Sequence, residues 1–238
     1  YISYSMRGQL NRVMTLKLNG LVNDVIDAYE NYEFDQVYRL IMPFMINEMS
    51  SYYLDYTKDI LYIEKADDFE RSSVQSTLYD ITMTLLKLLT PIIPHTTSEA
   101  YQELPFEHLE DVYLEDMPEK SVFTDEKLLD AFQKFMEVRS LALKKLEEAR
   151  EQKKIGKSLQ AALDITLLQS HMDAITYLDM KIHQVLIVSK VNLHLGDTLD
   201  VQVSLADGHV CARCWNVVET VNNVELCPRC EHILGGHK

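Results

Sequence analysis

Apolar residues recur at helical spacing through most of this chain. Over about 9–31, Leu18, Leu21, Val22, Val25, Ile26 and Tyr29 share one face of a 3.6-residue period, which predicts a long amphipathic helix. A second helix is predicted from Asp35, read as its N-cap, to Thr57, on Val37, Tyr38, Ile41, Met45, Met49 and Tyr52. Pro43 lies inside it and predicts a kink, because proline lacks the N–H that a helix interior uses. A third helix is predicted over about 67–90, with Phe69, Val74, Leu78, Ile81, Leu85, Leu88 and Leu89 inward, stopped by Pro91 and Pro94. Thr96 and Glu99 have the spacing of a capping box and predict a short fourth helix. These elements make an antiparallel helical bundle.

Beyond it, 105–123 reads as a connector with one extended stretch, Val112–Leu114. A long charged helix follows from about Asp125 to Lys153, with Leu128, Leu129, Phe132, Phe135, Met136, Leu143 and Leu146 on its apolar face and Gly156 as its stop. Strands are then predicted at 161–168, 184–191 and 199–205, with a helix over 171–180 between the first two. That pattern gives a small α/β unit. Asp207-Gly208 reads as a turn. The predicted class is mainly α: a helical bundle (1–120), a long helix with a small α/β unit (121–206) and a terminal knuckle (207–238).

The knuckle carries the clearest chemistry. Cys211-Ala-Arg-Cys214 and Cys227-Pro-Arg-Cys230 are two Cys-x-x-Cys pairs separated by 12 residues, and they hold all four cysteines of the chain. Two thiol pairs on two tight turns suit one tetrahedral zinc ion, so one structural zinc per chain on Cys211, Cys214, Cys227 and Cys230 is expected. The alternative, two disulfides, needs an oxidising compartment, which nothing in the sequence suggests. His209 and His232 flank the thiols, but four sulfurs already fill a tetrahedral site.

Composition changes the picture in one respect. The formal net charge is −14, whereas a protein that coats nucleic acid usually presents a basic surface. Any RNA contact must therefore rest on local patches and stacking. Arg139, Lys144, Lys145, Arg150, Lys153, Lys154 and Lys157 gather on and after the long helix, interrupted by Glu147, Glu148 and Glu151. They read either as surface ion pairs along the helix or as a basic edge that meets phosphates, with Lys154 and Lys157 as its candidates. Trp215, the only tryptophan, and Arg213 read either as packing and solvated residues or as a stacking plane and a guanidinium for an unpaired base. Gly156-Lys157-Ser158 ends like a phosphate-binding loop, yet Glu151 stands where that loop needs glycine. No stretch is apolar enough to span a membrane, and no signal peptide opens the chain. Tyr1 in place of Met suggests a piece of something longer. A cytoplasmic monomer with no DNA or membrane partner is expected.

Several blocks, in this order, resemble the C-terminal part of bacterial isoleucyl-tRNA synthetases. They are Tyr29-Glu30-Asn31-Tyr32-Glu33-Phe34 with Tyr38, Thr90-Pro91-Ile92-Ile93-Pro94-His95-Thr96, Arg150 through Leu159, and the knuckle with Trp215 after Cys214. The resemblance implies an anticodon-binding type of bundle and a terminal zinc knuckle. It implies that Arg213 and Trp215 lie at the anticodon loop of an isoleucine-specific tRNA. The His-x-Gly-His and Lys-Met-Ser-Lys-Ser signatures of a class I catalytic core do not occur here. The resemblance therefore implies that ATP and Mg serve only a core outside this sequence, and that no catalytic residue lies within it. Two other classes stay open: a zinc-stapled helical interaction module, which the acidic charge suits, and a DNA-repair glycosylase-like zinc finger.

Overall fold

A computed structural model of the chain describes residues 1–105 and 109–235. The first predicted helix forms as α1 (Gln9–Glu30). The second begins one residue before its predicted cap: α2 spans Phe34–Pro43, so Asp35 lies in its first turn. Pro43 does not stop the helix. The backbone widens into π-type turns over Phe44–Tyr53 and resumes as α3 (Leu54–Ile63), longer than predicted. Widened turns next to a proline re-pair carbonyls that the missing N–H would leave open. The third helix forms as α4 (Phe69–Leu89), capped where the Asp68 carboxylate accepts from the Arg71 N–H at 2.9 Å. The fourth, α5 (Pro94–Gln102), starts on Pro94. Thr96 and Glu99 therefore lie inside it, and no capping box forms; proline at the first helical position needs no N–H partner. Val112–Leu114, predicted extended, is a 3-10 turn in which the Asp111 carboxylate accepts from the Tyr113 N–H. Residues 106–108 of the predicted connector lie outside the described residues.

Two packing units result. The first comprises Tyr1–Arg7, Asn11–Tyr53 and Ser72–Asp125. Its hydrogen bonds fix the helix directions. Tyr53 Oη donates to Asn11 Oδ1 (2.6 Å) and Lys17 Nζ to Glu48 Oε1 (2.8 Å), so the second helix runs antiparallel to α1. Asn11 Nδ2 donates to Ser73 Oγ (3.0 Å) and Tyr29 Oη to the Leu88 carbonyl (2.7 Å), so α4 returns parallel to α1. Asn11, Ser73 and Tyr53 are all buried, so their mutual bonding removes the cost of unpaired polar groups in a core. Burial raises the Tyr53 hydroxyl pKa well above its ordinary value.

The second unit comprises Gly8–Leu10, Leu54–Arg71 and Glu126–Lys238. It contains α3, the long helix α6 (Glu126–Glu151), a three-stranded sheet and the knuckle. Gly156 is not the helix stop. Lys153 takes a left-handed backbone (φ 57°), and the Lys154 N–H closes onto the Ala149 carbonyl at 2.9 Å. Gly156 instead lies in the following bend, where Gln160 Oε1 accepts from the N–H groups of Gly156 and Lys157. The sheet order is β2-β1-β3, with β1 (Ala161–Leu167) central. β1 runs parallel to β2 (Lys190–Leu195) and antiparallel to β3 (Asp200–Leu205). Helix α7 (Gln169–Leu178) supplies the crossover.

The strand predicted at 184–191 forms late. Residues Ile182–Val185 make a single helical turn, α8, and Ile187 sits at φ 56°. Val185, Leu186 and Val188 are buried by that turn, so the apolar run marks core packing rather than a strand period.

Candidate metal centre and RNA interface

Two short strands, β4 (His209–Val210) and β5 (Val217–Val218), bring the first thiol pair onto a hairpin. Gly208 opens it at φ 135°. A Cβ there would lie 2.3 Å from the Val218 carbonyl oxygen, so only glycine fits. The second pair sits at the start of α9 (Pro228–Gly235). Residues 236–238 of the predicted knuckle lie outside the described residues. The hairpin and the helix close on each other through Ala212 N–H to the Glu225 carbonyl (2.9 Å) and Cys227 N–H to Cys211 Sγ (3.3 Å).

The four cysteine sulfurs lie within 4.8 Å of one another, all on buried residues, and none is in a disulfide. Cys214 and Cys227 sulfurs are 3.8 Å apart. A tetrahedron with Zn–S bonds of about 2.3 Å has edges of about 3.8 Å, so the spacing is that of a zinc cage. Burial pushes the Cys211 thiol up, but backbone N–H bonds from Cys214, Cys227 and Arg213 outweigh it and hold the pKa at about 6. Burial pushes the Cys214 and Cys230 thiols up. Four soft donors crowded in one buried place suit a dication, which relieves the repulsion among thiolates. Ile63 and Ile233 cover the cluster.

The two knuckle arginines hold equivalent positions, each before the second cysteine of its pair, and both reach the C-terminal end of α3. Arg213 Nη2 donates to the Ile63 carbonyl at 2.7 Å, a last-turn carbonyl that the helix leaves open, and Nη1 lies 3.8 Å from Cys230 Sγ. Arg229 forms a two-point bond to Glu64 through Nε (2.9 Å) and Nη2 (2.6 Å), and an ion pair with Asp59 (2.7 Å). Gln184 Nε2 also donates to Asp59, at 2.6 Å. Burial opposes the Arg229 charge, but the two carboxylates outweigh it and raise its pKa. Sequence reasoning missed this clamp. The repeated Cys-x-Arg-Cys spacing was its only local signal.

Trp215 follows Cys214 in a left-handed backbone (φ 62°) and is 67% exposed. Its N–H is fixed by the Cys211 carbonyl at 2.9 Å, so the turn that presents the indole is rigid. Lys154 and Lys157 are both exposed, and among the described residues no ion pair engages either. Three other cations of the basic cluster are engaged, Lys145 with Glu148, Arg150 with Glu147, and Arg139 by burial, whereas Lys144 and Lys153 are as exposed as Lys154 and Lys157 and equally outside any ion pair among the described residues.

This pairing of a helical domain with a four-thiol finger agrees with what the chain is similar to. Residues 11–167 match the anticodon-binding domain of tRNA ligases, and residues 208–233 match the zinc finger found in FPG and IleRS. The chain belongs to the family of tRNA-ligase anticodon-binding domains. It is 53% identical to the isoleucine–tRNA ligase of Acholeplasma laidlawii, over 100% of this chain and 27% of that protein. It is 45% identical to the isoleucine–tRNA ligase of Onion yellows phytoplasma over 98% of this chain and 26% of that protein, and 39% identical to that of Geobacillus kaustophilus over 97% and 27%. The chain thus spans about a quarter of the length of these relatives. The finger alone suits a glycosylase as well, but the match over 11–167 does not.

Proposed function

We propose that this chain is the tRNA-recognition part of an isoleucine–tRNA ligase and reads the anticodon loop of an isoleucine-specific tRNA with its zinc knuckle. One observation carries the reading: the chain's only tryptophan is left out of every core and held outward on a rigid turn beside a candidate metal ligand. An aromatic plane so presented stacks on an unpaired base without first being ordered.

In this reading Cys211, Cys214, Cys227 and Cys230 hold one structural zinc. The ion fixes the turns and takes no part in chemistry. Trp215 stacks on a base. Arg213 positions the turn through Ile63 and keeps guanidinium donors for a base edge, since two of its five N–H groups account for the bonds described. Lys154 and Lys157 meet backbone phosphates. By function the bundle (1–120), the long helix with its α/β unit (121–206) and the knuckle (207–238) are three working parts, which cut across the two packing units. The intact ligase joins isoleucine to tRNA using ATP and Mg on a core outside this sequence, acts as a monomer in the cytoplasm, and binds neither DNA nor membrane. Among the described residues no helix is long and apolar enough to cross a membrane.

The test is a titration of isoleucine tRNA into the wild-type chain and Trp215→Ala, with zinc content checked for both. The net charge of −14 favours a protein-binding scaffold instead. That reading predicts no tRNA binding at any salt concentration.

A further inference from the structure

The corner between α1 and α2, in the first unit, presents an aromatic cluster to solvent. Tyr32 is 80% exposed, Phe34 55% and Tyr38 64%. Tyr32 stands where a helix C-terminal turn usually carries glycine: its φ is 61°, and the Glu33 N–H closes onto the Ala28 carbonyl at 2.8 Å. Its ring meets Phe34 edge-on at 6.1 Å, and Phe34 also contacts Tyr29, 6.2 Å away and anchored on the Leu88 carbonyl. Tyr38 follows Phe34 by one helical turn and so shares its face. A large aromatic on a left-handed backbone, kept out of the core, is costly to the chain by itself.

Charge selects what such a surface accepts. Residues 24–39 carry five carboxylates and one cation, Arg39. Arg39 pairs with Asp35, and Lys120 reaches over to Asp27 and Glu30. Glu33 has no ion pair among the described residues. That rim repels phosphates, so the rings are not an RNA platform. It attracts cations, and a tyrosine face takes a guanidinium or an ammonium. The chain uses this contact elsewhere: Arg7 lies over Tyr1 at 5.2 Å, Arg12 over Tyr4 at 5.0 Å and Lys127 over Tyr177 at 4.3 Å. Among the described residues no cation lies over Tyr32 or Tyr38.

The size of the surface bears on where its partner comes from. A stable complex between separate proteins uses about 20–30 residues a side, and this corner falls far short of that. A segment of the same polypeptide needs much less contact, because tethering holds it at a high effective concentration. The chain spans about a quarter of the length of its relatives, so such segments are at hand. We infer that the corner is a docking surface within the intact ligase. A segment from outside this sequence, carrying arginine or lysine beside apolar residues, seats its cation on Tyr32 and Tyr38 and its apolar side chains on Phe34. The inference rests on the reading of this chain as part of a longer ligase, and not on Trp215.

The experiment replaces Tyr38 by the photoreactive p-benzoylphenylalanine in the intact isoleucine–tRNA ligase that carries this sequence. The protein is irradiated with and without isoleucine tRNA, and the product is mapped by peptide mass spectrometry. Tyr38 is exposed, so another aromatic there leaves the core intact, and circular dichroism checks this. The expected product is a cross-link within one polypeptide, to an arginine- or lysine-bearing peptide outside this sequence, formed whether or not tRNA is present. Tyr32→Gly separates docking from local structure. Glycine takes the left-handed turn without strain, so this chain alone should unfold at a higher temperature. In the intact ligase the same change should lower the cross-link yield at position 38 by roughly two- to fivefold, through loss of one cation–π contact. Cross-links to tRNA alone, to a second copy, to a peptide without a cation, or to nothing would overturn the docking surface while the tRNA reading of Trp215 stands. So would a Tyr32→Gly chain that loses stability with the cross-link unchanged, since the ring would then serve the fold. If the cross-link forms as expected but the chain binds no tRNA, the docking surface stands and the tRNA reading fails.

Discussion

Trp215 is costly to the fold, and the proposed RNA reading is what gives it a use. An exposed indole on a left-handed backbone gives up burial, and a β-carbon in that conformation is strained. Trp215→Ala is therefore expected to leave the knuckle intact and its zinc bound, while tRNA binding weakens by about tenfold or more. Gly208 is the opposite case. Gly208→Ala places a Cβ against the Val218 carbonyl at a φ that side chains avoid, so the knuckle should lose ~1–3 kcal/mol of stability. Competition with a chromophoric chelator should read this as roughly tenfold or more weaker zinc binding. The thiol cluster was legible in the sequence because the spacing of its two pairs is itself the signal. The clamp was not, because Ile63 and Glu64 lie about 150 residues upstream of their arginines and no local pattern joins them.

At the scale of elements, periodicity located the long helices α1, α4 and α6, whose apolar faces repeat over several turns. It misread the short features, where one residue decides. Lys153 stops α6 by adopting a left-handed turn that glycine was expected to supply, and the run after Gln184 buries its apolar residues through a helical turn. The join between α3 and the knuckle yields a further expectation. Arg229 is about one-third exposed, and Glu64 less so, at 33% and 13%. Arg229→Leu should therefore destabilise the chain by ~1–3 kcal/mol in chemical denaturation, by leaving two carboxylates short of a partner. Adding Glu64→Leu should cost less than the sum of the single changes, the mark of a direct interaction. His183 gives the second unit a pH dependence. Its folded pKa lies below that of the unfolded chain, so the unfolded state binds the proton more readily. Stability should fall as pH drops below about 6.5 toward the lowered value, and His183→Gln should flatten that slope.

For the whole molecule, the acidic balance and the RNA reading are compatible only if recognition is local. A loop held mainly by stacking releases few counterions, so the salt dependence of binding should be shallow. Lys154→Ala should make it shallower still if that cation meets a phosphate, whereas Trp215→Ala should change affinity and leave the slope as it is. Neither class I signature occurs in the sequence, so the chain alone should show no isoleucine-dependent exchange of pyrophosphate into ATP. The account is tested most directly by titrating isoleucine tRNA into the zinc-loaded wild-type chain and Trp215→Ala at two salt concentrations. It predicts binding by both, about tenfold or more weaker for the variant at each salt, with equal zinc content. Equal affinity of the two zinc-loaded proteins would contradict it.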